Sequence, residues 1–214
     1  MTYAELCTLI QDYTENSFTT DQLNAFIQQT EQRIYNAIQL PDLRKNVTGT
    51  FSAHNEFLQC PTDFMAVHSM AAIDAGSYTY LLNKDANFLR EAYPSAVEGI
   101  PRYYALYGPR SDNELYLAFS VAPIPDKDYG VELHYFAYPE SIVTAGSTWL
   151  GDNFDSALLY GSILEAYIFM KGASELMATY KQQYAEAMAL LKQLGDGKDR
   201  RDSYRSGQVR FPVQ

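Results

Sequence analysis

The chain contains few of the residues that carry catalysis or bind metals. It has two cysteines, Cys7 and Cys60, and three histidines, His54, His68 and His134, among 214 residues. Two cysteines provide neither a disulfide framework nor a zinc-ligand spacing, so we expect both to be reduced core residues. Each histidine stands alone in a predicted strand or turn, whereas a metal or a general base normally needs a second ligand or an orienting carboxylate. We predict that all three are structural.

Specific motifs and long apolar runs are also lacking. There is no GxGxxG, no phosphate-binding glycine loop, no CxxC, no HExxH and no GxSxG, so we predict no catalytic, cofactor or metal site. The longest apolar stretch, Ala157–Met170, is interrupted by Glu165, which argues against a membrane span. The first residues lack the basic and apolar regions of a secretion signal, and we expect a protein made and kept in a cytoplasm.

Three residue pairs resemble chemical sites but have simpler explanations. Glu132 and His134 stand two apart on a predicted strand and share its wet face. Tyr167 and Lys171 are one helical turn apart, without a dinucleotide fold around them. Asp152 and Asp155 lie in a predicted first helical turn, where their negative charges complement the helix dipole.

Positive charge is scarce over most of the chain. Sixteen basic against twenty-six acidic residues leave a net charge of −10, which cannot supply the counterion release that drives nucleic-acid binding. The last nineteen residues differ, because they hold five basic and three acidic residues and carry +2, while the first 195 carry −12. The charge therefore argues against a protein that binds DNA tightly.

The composition is that of an ordered protein, with 47% hydrophobic and 20% charged residues. Eighteen tyrosines are unusual. Because a tyrosine ring is apolar and its hydroxyl needs a partner, tyrosine favours strands and interfaces.

The N-terminal pattern predicts two helices. The first begins with the capping box Thr2-x-x-Glu5 and ends near Tyr13. The second begins after Thr19 or Thr20, runs to about Gln39 and is stopped by Pro41. Its predicted buried positions are Leu23, Phe26, Ile27, Ile34 and Ile38.

From Val47 to Val143 the pattern predicts an antiparallel sheet or sandwich. A short helix is predicted over Asn83–Glu91, and Gly108–Asn113 is a turn cluster typical of a hairpin. The predicted strands are Val47–Phe51, Glu56–Gln59, Ala66–Ile73, Tyr78–Leu82, Arg102–Tyr107, Glu114–Phe119 and Gly130–Ala137.

Two helices are predicted after Trp149. The first has Asp152 or Asn153 as its N-cap and a wide apolar face, and Gly172 breaks it. The second runs over Ser174–Leu194 until Gly195-Asp196-Gly197 closes it, and should pair antiparallel with the first. Their predicted apolar faces contain Leu158, Leu159, Ile163, Tyr167 and Ile168, and Met177, Tyr180, Tyr184, Met188 and Leu191.

We therefore predict an α+β fold with four parts. Residues 1–45 and 148–195 form a helical domain, 46–147 form a β-rich insertion, and 196–214 form an extended C-terminal arm. The arm combines arginines with aromatic residues, and both types are enriched where proteins bind proteins. We expect the arm to become ordered when it binds a partner. Its candidate binding residues are Arg200, Arg201, Tyr204, Arg205, Arg210 and Phe211.

A series of segments occurs in an order and spacing that resembles a known family. They are Leu58 with Cys60–Phe64, Pro101–Gly108, Glu114–Leu117 followed by Ala122-Pro123, Tyr129–Phe136, Thr148–Leu150 and Ala157–Ala166. Together they are similar to the head-to-tail adaptor proteins of short-tailed bacteriophages.

The resemblance implies a non-enzymatic structural protein of the virion, assembled in the host cytoplasm and located at the head-tail interface. It implies a ring of about twelve copies, a dodecamer, clamped below the portal protein. The ring would prolong the DNA channel for ejection, without specific binding of the genome, and would present a platform for the tail nozzle or tube. The arm would bind the portal. No membrane or cofactor is implied.

Two other functions fit the residues less well. A tail or host-surface carbohydrate-recognition module would stack sugars on the tyrosine-rich strands. A cell-wall hydrolase would need a convergent carboxylate pair, which the sequence does not reveal.

Overall fold

The computed structural model describes residues 1–38, 40–108 and 117–198, and these form two units. One unit comprises Met1–Asp42 and the described residues from Glu140 onward, and the other is Leu43–Pro139. The first is helical and the second carries the strands, so the predicted α+β class is confirmed. The arm residues Arg200, Arg201, Tyr204, Arg205, Arg210 and Phe211 lie outside the described residues.

The helical unit begins with two capped helices. The Thr2 and Glu5 side chains each bond the other's backbone amide, so the predicted capping box is confirmed. Thr19 and Gln22 form a second box. The predicted buried positions of the second helix are buried. The helices of this unit are α1 (Tyr3–Thr14), α2 (Thr20–Ala37), α4 (Ile142–Ala145), α5 (Trp149–Asn153), α6 (Asp155–Met170) and α7 (Ser174–Lys198).

The start of the third long helix differs from the prediction. Asp152 and Asn153 are not its N-cap, because they belong to the short helix α5, whose cap is Thr148. The Thr148 hydroxyl accepts a hydrogen bond from the Gly151 amide at 3.3 Å. Phe154 then reorients the backbone, and α6 starts without a side-chain cap. The Thr148 hydroxyl therefore caps α5, and the predicted role of Asp152 or Asn153 as a helix cap is wrong.

The last helix is longer than predicted. Gly195 does not close it, since α7 continues to Lys198 and the first three residues of the predicted arm are helical. Leu191 and Gly195 are both buried and lie one turn apart on the same face. This packing outweighs the low helix propensity of glycine. The helix packs against α6.

Helix α6 forms the centre of the helical unit, and α1, α2 and α7 pack around it. Leu158 and Ile163 are fully buried as predicted, but Ile168 is 48% exposed, so its assignment to the buried face is wrong. The adjacent Tyr167 is 8% exposed and packs on Tyr180, so the covered side of this turn is the side of Tyr167, and Ile168 lies on a different side of the helix. Cys60 is buried as predicted, whereas Cys7 on α1 is only partly buried.

A buried carboxylate connects α2 to the start of α4. Glu31 is 3% exposed and accepts hydrogen bonds from the Ser141 hydroxyl at 2.5 Å and the Ile142 amide at 2.9 Å. Burial raises the pKa of Glu31, although these two hydrogen bonds oppose the rise. The carboxylate satisfies an amide at the first turn of α4 that would otherwise lack a partner.

The β unit is a sandwich of two four-stranded sheets. Sheet A has the order β1-β8-β3-β4, and sheet B has the order β2-β7-β6-β5. One further helix, α3 (Ala86–Ala92), is capped by Asp85 and overlaps the short helix that was predicted over Asn83–Glu91. The strands are β1 (Arg44–Phe51), β2 (Phe57–Gln59), β3 (Phe64–Asp74), β4 (Ser77–Tyr80), β5 (Leu82–Asn83), β6 (Tyr103–Tyr107), β7 (Ala118–Ala122) and β8 (Tyr129–Ala137).

Alternate residues of both sheets fill the core between them. Phe119 is fully buried there, and it packs edge-on against the rings of Phe64 and Tyr104. Sheet B is also covered on its outer side, where Leu89 of α3 packs with two alanines of the sheet. This double coverage explains why all five residues of β7 are buried.

Two predicted strands are wrong in their bounds. The segment Tyr78–Leu82 is not one strand, because the chain leaves sheet A at Tyr80 and joins sheet B at Leu82, where β5 pairs parallel with β6. Leu81 between them is buried in the core. The predicted strand Glu114–Phe119 ends too early, because β7 covers Ala118–Ala122. Strand β7 pairs antiparallel with β6 as expected of a hairpin, but residues 109–116 lie outside the described ones.

A glycine sets how closely α2 and α6 approach. A Cβ added at Gly161 would stand 2.3 Å from Thr30 Cγ2 and 3.0 Å from Tyr184 Cε2. We expect Gly161→Ala to lower the free energy of unfolding by about 1–3 kcal/mol, because the packed helices must separate. Urea denaturation followed by the fluorescence of Trp149, the single tryptophan, measures this. Gly108→Ala, which meets nothing within 4 Å, is the control, and equal stability of both variants would contradict the prediction.

The raised pKa of Glu31 predicts a pH dependence of stability. The folded unit holds this proton more tightly than the unfolded chain, so its contribution is full below the unfolded pKa and is lost as the pH rises through the folded pKa. Relative to Glu31→Gln, the natural chain should therefore lose stability as the pH rises above the ordinary glutamate pKa of about 4.3. Denaturation at several pH values tests this, with Glu175→Gln, an exposed acid of α7, as the control for lost charge. A natural chain that gains stability relative to Glu31→Gln as the pH rises would contradict it.

Candidate functional site

The side chains of His54, His68 and Tyr167 are held in contacts with other residues of the fold. His54 bonds Glu98 at 2.8 Å, and His68 packs edge-on against Phe136. The Tyr167 hydroxyl donates to the Tyr13 carbonyl at 3.3 Å. Among the residues that the structure describes, no group of three histidine, cysteine or acidic side chains is placed to hold a metal ion.

The two acids near the start of α6 serve different helices. Asp155 lies in the first turn of α6, where a negative charge complements the helix dipole as predicted. Asp152 lies in α5 instead, 3.8 Å from the amino group of Met1. Their separation on two helices means that they form no carboxylate pair.

Glu132 is the centre of a polar row on the outer face of sheet A. Its Oε1 accepts a hydrogen bond from Asn46 Nδ2 at 2.8 Å and lies 3.0 Å from His134 Nε2, so the predicted polar pair is present. The Tyr78 side chain bonds the same carboxylate. The hydrogen bond from Asn46, followed by the contact with His134, lowers the pKa of Glu132. The row joins β1, β8 and β4 across the sheet.

Aromatic side chains flank this polar row. Tyr78 and Tyr80 of β4 are 53% and 66% exposed, and alternation places them on the outer face. At the opposite corner, the Arg44 guanidinium lies 5.0 Å from the centre of the Phe136 ring. This face therefore presents rings, a cation and a carboxylate to whatever contacts it, and the position of Tyr78 and Tyr80 was not predicted individually from the sequence.

A second surface is the open side of the sandwich, where the edge strands β1 and β2 border an apolar groove of about 280 Å³. We call it the edge groove. Val47 of β1 is 40% exposed there although its side chain faces inward with the core row of β8. The groove lining includes Val47, Leu58, Cys60, Val131 and Leu133. Alternation in β1 places Val47 on the inward face, and no local pattern indicates that this position borders an open edge.

Asp63 makes hydrogen bonds to two strands of sheet A. It accepts hydrogen bonds from Lys45 Nζ at 2.5 Å and from the Tyr135 hydroxyl at 2.8 Å. Burial acts to raise the pKa of Asp63, but these partners outweigh it and the pKa is lowered. The same contact raises the pKa of Tyr135 to about 12, after the larger effect of burial. The interaction joins β1 and β8 to the start of β3.

A more enclosed cavity of about 160 Å³ lies between α3, the loop after it and β7. Arg90 and Glu56 form an ion pair at its wall, with 2.9 Å between Nη2 and Oε1. Arg90 is 63% exposed and Glu56 is 22% exposed at the side chain. The paired charges leave the cavity without a converging set of groups for a reaction.

The helical unit exposes apolar side chains at the junction of α6 and α7. Phe169 is 55% exposed while its ring contacts Phe18 and Phe26, and Leu176 of α7 is 47% exposed. Further along α7, Leu190 is 59% exposed. Exposed apolar groups that cluster in this way are typical of protein interaction surfaces.

The first 32 residues form an acidic surface that the sequence analysis did not single out. They contain no lysine or arginine, and the first base is Arg33. Of the five acids, Glu31 is buried and the others are exposed, namely Glu5, Asp12, Glu15 and Asp21. A count of charge by segment would have found it.

No helix among the described residues is long and apolar enough to cross a bilayer.

A comparison with family models places the chain. The model of the SU10 adaptor protein family matches residues 1–211, which includes both units and most of the predicted arm. A search of curated proteins found no match. The resemblance to phage head-to-tail adaptors that the sequence suggested is confirmed by this match. With residues 1–211 matched, the chain belongs to the SU10 adaptor protein family, and it is a structural adaptor of a bacteriophage.

Proposed function

We propose that this adaptor forms a ring of about twelve copies beneath the portal, at the head-tail interface of the virion. The ring prolongs the DNA channel through which the genome is ejected and presents the platform to which the tail nozzle or tail tube attaches. Assembly takes place in the host cytoplasm. The observation that carries the proposal is the family match over residues 1–211.

The exposed apolar surfaces support an assembly role. A subunit of a closed ring needs two different patches, one for each neighbour. The α6–α7 junction around Phe169 and the edge groove around Val47 are two such patches on different units. In a monomer that works alone, exposed apolar groups of this size would favour aggregation.

The charge of the chain supports a conduit for DNA. The body of −12 offers few cations to phosphate, so the genome slides past without specific binding. A basic lumen would hold the DNA backbone and oppose ejection. The acidic surface around Asp12 and Glu15 is where this repulsion is most concentrated in sequence.

The portal-binding arm is the basic segment that follows α7. Because α7 continues to Lys198, the arm leaves from the end of a helix that is packed against α6. Arginine is suited to such contacts, since its planar fork binds carboxylates with two hydrogen bonds. The binding residues proposed are Arg200, Arg201, Tyr204, Arg205, Arg210 and Phe211.

Removing the arm tests this function. A chain that ends at Lys198 retains all of α7, so we expect it to fold. Its helical content by circular dichroism should equal that of the full chain. It should nevertheless lose attachment to the portal. Mass photometry of purified portal with the shortened chain measures attachment. Normal ring formation on the portal by this chain would contradict the role of the arm.

Charge reversal separates the arm's chemistry from its length. Replacing Arg200, Arg201 and Arg205 by glutamate should weaken portal binding at least about tenfold, because a hydrogen bond to a charged group contributes about 1.5 kcal/mol or more. Lys181→Glu and Lys192→Glu, at exposed positions of α7, change charge outside the arm and should bind normally. Equal weakening in both sets would indicate a general charge effect instead.

A carbohydrate-recognition module is a second candidate, and the exposed pair Tyr78 and Tyr80 is the observation that favours it. Sugars stack on such rings. If this candidate is correct, the isolated protein binds glycans on an array, and Tyr78→Ala with Tyr80→Ala abolishes that binding while portal attachment is retained. If the adaptor role alone is correct, no glycan is bound.

A further inference from the structure

The edge groove has the features of a site for an added strand. Among the described residues, no strand pairs with the outer edge of β1 or of β2, since each is the first strand of its sheet. β1 has eight residues and β2 has three, so most of the inward face of β1 extends past its counterpart. Unpaired main-chain groups beside an apolar groove are what an extended peptide binds when it joins a sheet.

The groove also defines the pattern that such a peptide must have. Successive side chains of a strand point to opposite sides, so only every second residue enters the groove. Those residues must be apolar to pack on Val47, Leu58 and Leu133. The residues between them face solvent or another protein and are free to be polar.

The C-terminal segment of this chain has that pattern. Val209, Phe211 and Val213 are apolar at every second position, while Gln208 and Arg210 are polar between them. Pro212 has no N–H, which an edge strand tolerates on its unpaired side. The segment lies beyond the described residues, and its fit is argued from its sequence.

We propose that Val209–Val213 of a neighbouring copy adds to the open side of the sandwich, with Val209, Phe211 and Val213 in the edge groove. The ten residues between Lys198 and Val209 span at most about 35 Å, so the copy that accepts the strand must lie within that distance of the end of α7. Each copy then donates one strand and accepts one, which closes a ring without a free end. The inference rests on the proposed function, because it requires neighbours in a ring.

Under this proposal Phe211 contacts the neighbouring copy instead of the portal. Phe211 anchors the arm in the neighbour, and Arg210 points to the opposite side of the same strand. The preceding residues Arg200, Arg201 and Arg205 stay available to the portal. Portal attachment and subunit contact are thereby coupled through one segment.

Paired cysteines test the contact between copies. Both preparations carry Cys7→Ser and Cys60→Ser, so that no natural thiol reacts. One also carries Val47→Cys and the other carries Phe211→Cys. The two are mixed with portal and treated with a short bifunctional maleimide. We expect a covalent dimer on a denaturing gel. Arg210→Cys replaces Phe211→Cys in the control, and because that position faces away from the groove, its yield should be several-fold lower.

Each result of this experiment is decisive. Preferential linkage through position 211 supports the proposal, and equal yields at 210 and 211 overturn it. When both substitutions are placed on one chain, a cross-linked monomer in place of a dimer overturns the assignment to a neighbour. Linkage of Val47→Cys to another partner, or to none, also overturns it.

A groove variant separates this inference from the proposed function. Val47→Lys changes a partly exposed side chain, so circular dichroism should show an intact fold. The cross-link is then measured between a different groove position, Leu58→Cys, and Phe211→Cys. Its yield should fall at least several-fold when Val47 is replaced by lysine. If chains that keep Val47 and carry the two cysteines form rings on the portal in electron micrographs but give no cross-link, the inference fails and the adaptor function stands. If the natural chain forms no rings, both fail.

Discussion

The β unit is stabilised by the burial of apolar side chains between two sheets whose edge strands, β1 and β2, differ in length. One face of each strand packs on the other sheet, and the core around Phe119 is closed wherever both sheets are present. At the open side, the eight residues of β1 stand opposite the three of β2. The inward side chain of Val47 is therefore half covered. This mismatch leaves an apolar surface on a unit whose remaining core is full, and an assembly subunit has a use for such a surface.

The helical unit shows the opposite arrangement, in which close packing is complete at its centre. Gly161 lets α2 and α6 approach more closely than any larger residue allows. Glu31 is buried at the same side of α2 that faces α4, and its hydrogen bonds fix the segment by which the chain returns to this unit. The apolar groups that remain exposed lie toward the ends of α6 and on α7, around Phe169 and Leu190. A rigid centre with apolar ends suits a component that must keep its shape while it is held by neighbours.

Membership of the SU10 adaptor protein family gives these surfaces a purpose. An adaptor acts through contacts with other phage structural proteins, so exposed rings, grooves and a basic terminal segment matter more than a reacting group. The polar row centred on Glu132 fits the same view. It is a hydrogen-bonded network on a sheet face, and among the described residues no group of three histidine, cysteine or acidic side chains is placed to hold a metal ion. The proposed ring and the strand exchange are two levels of one hypothesis about those contacts.

The sequence by itself determined the class of fold, the start of each N-terminal helix and the family. Capping boxes such as Thr2 with Glu5 are local, because both partners lie within one helical turn, and a local signal is readable without the fold. The apolar spacing of α2 is local in the same sense. The tertiary structure alone decided which strands are edges, where the chain changes sheets at Leu81, and that α7 passes through Gly195. These outcomes depend on which distant surface a residue packs against, and no pattern within a few residues of the position carries that information.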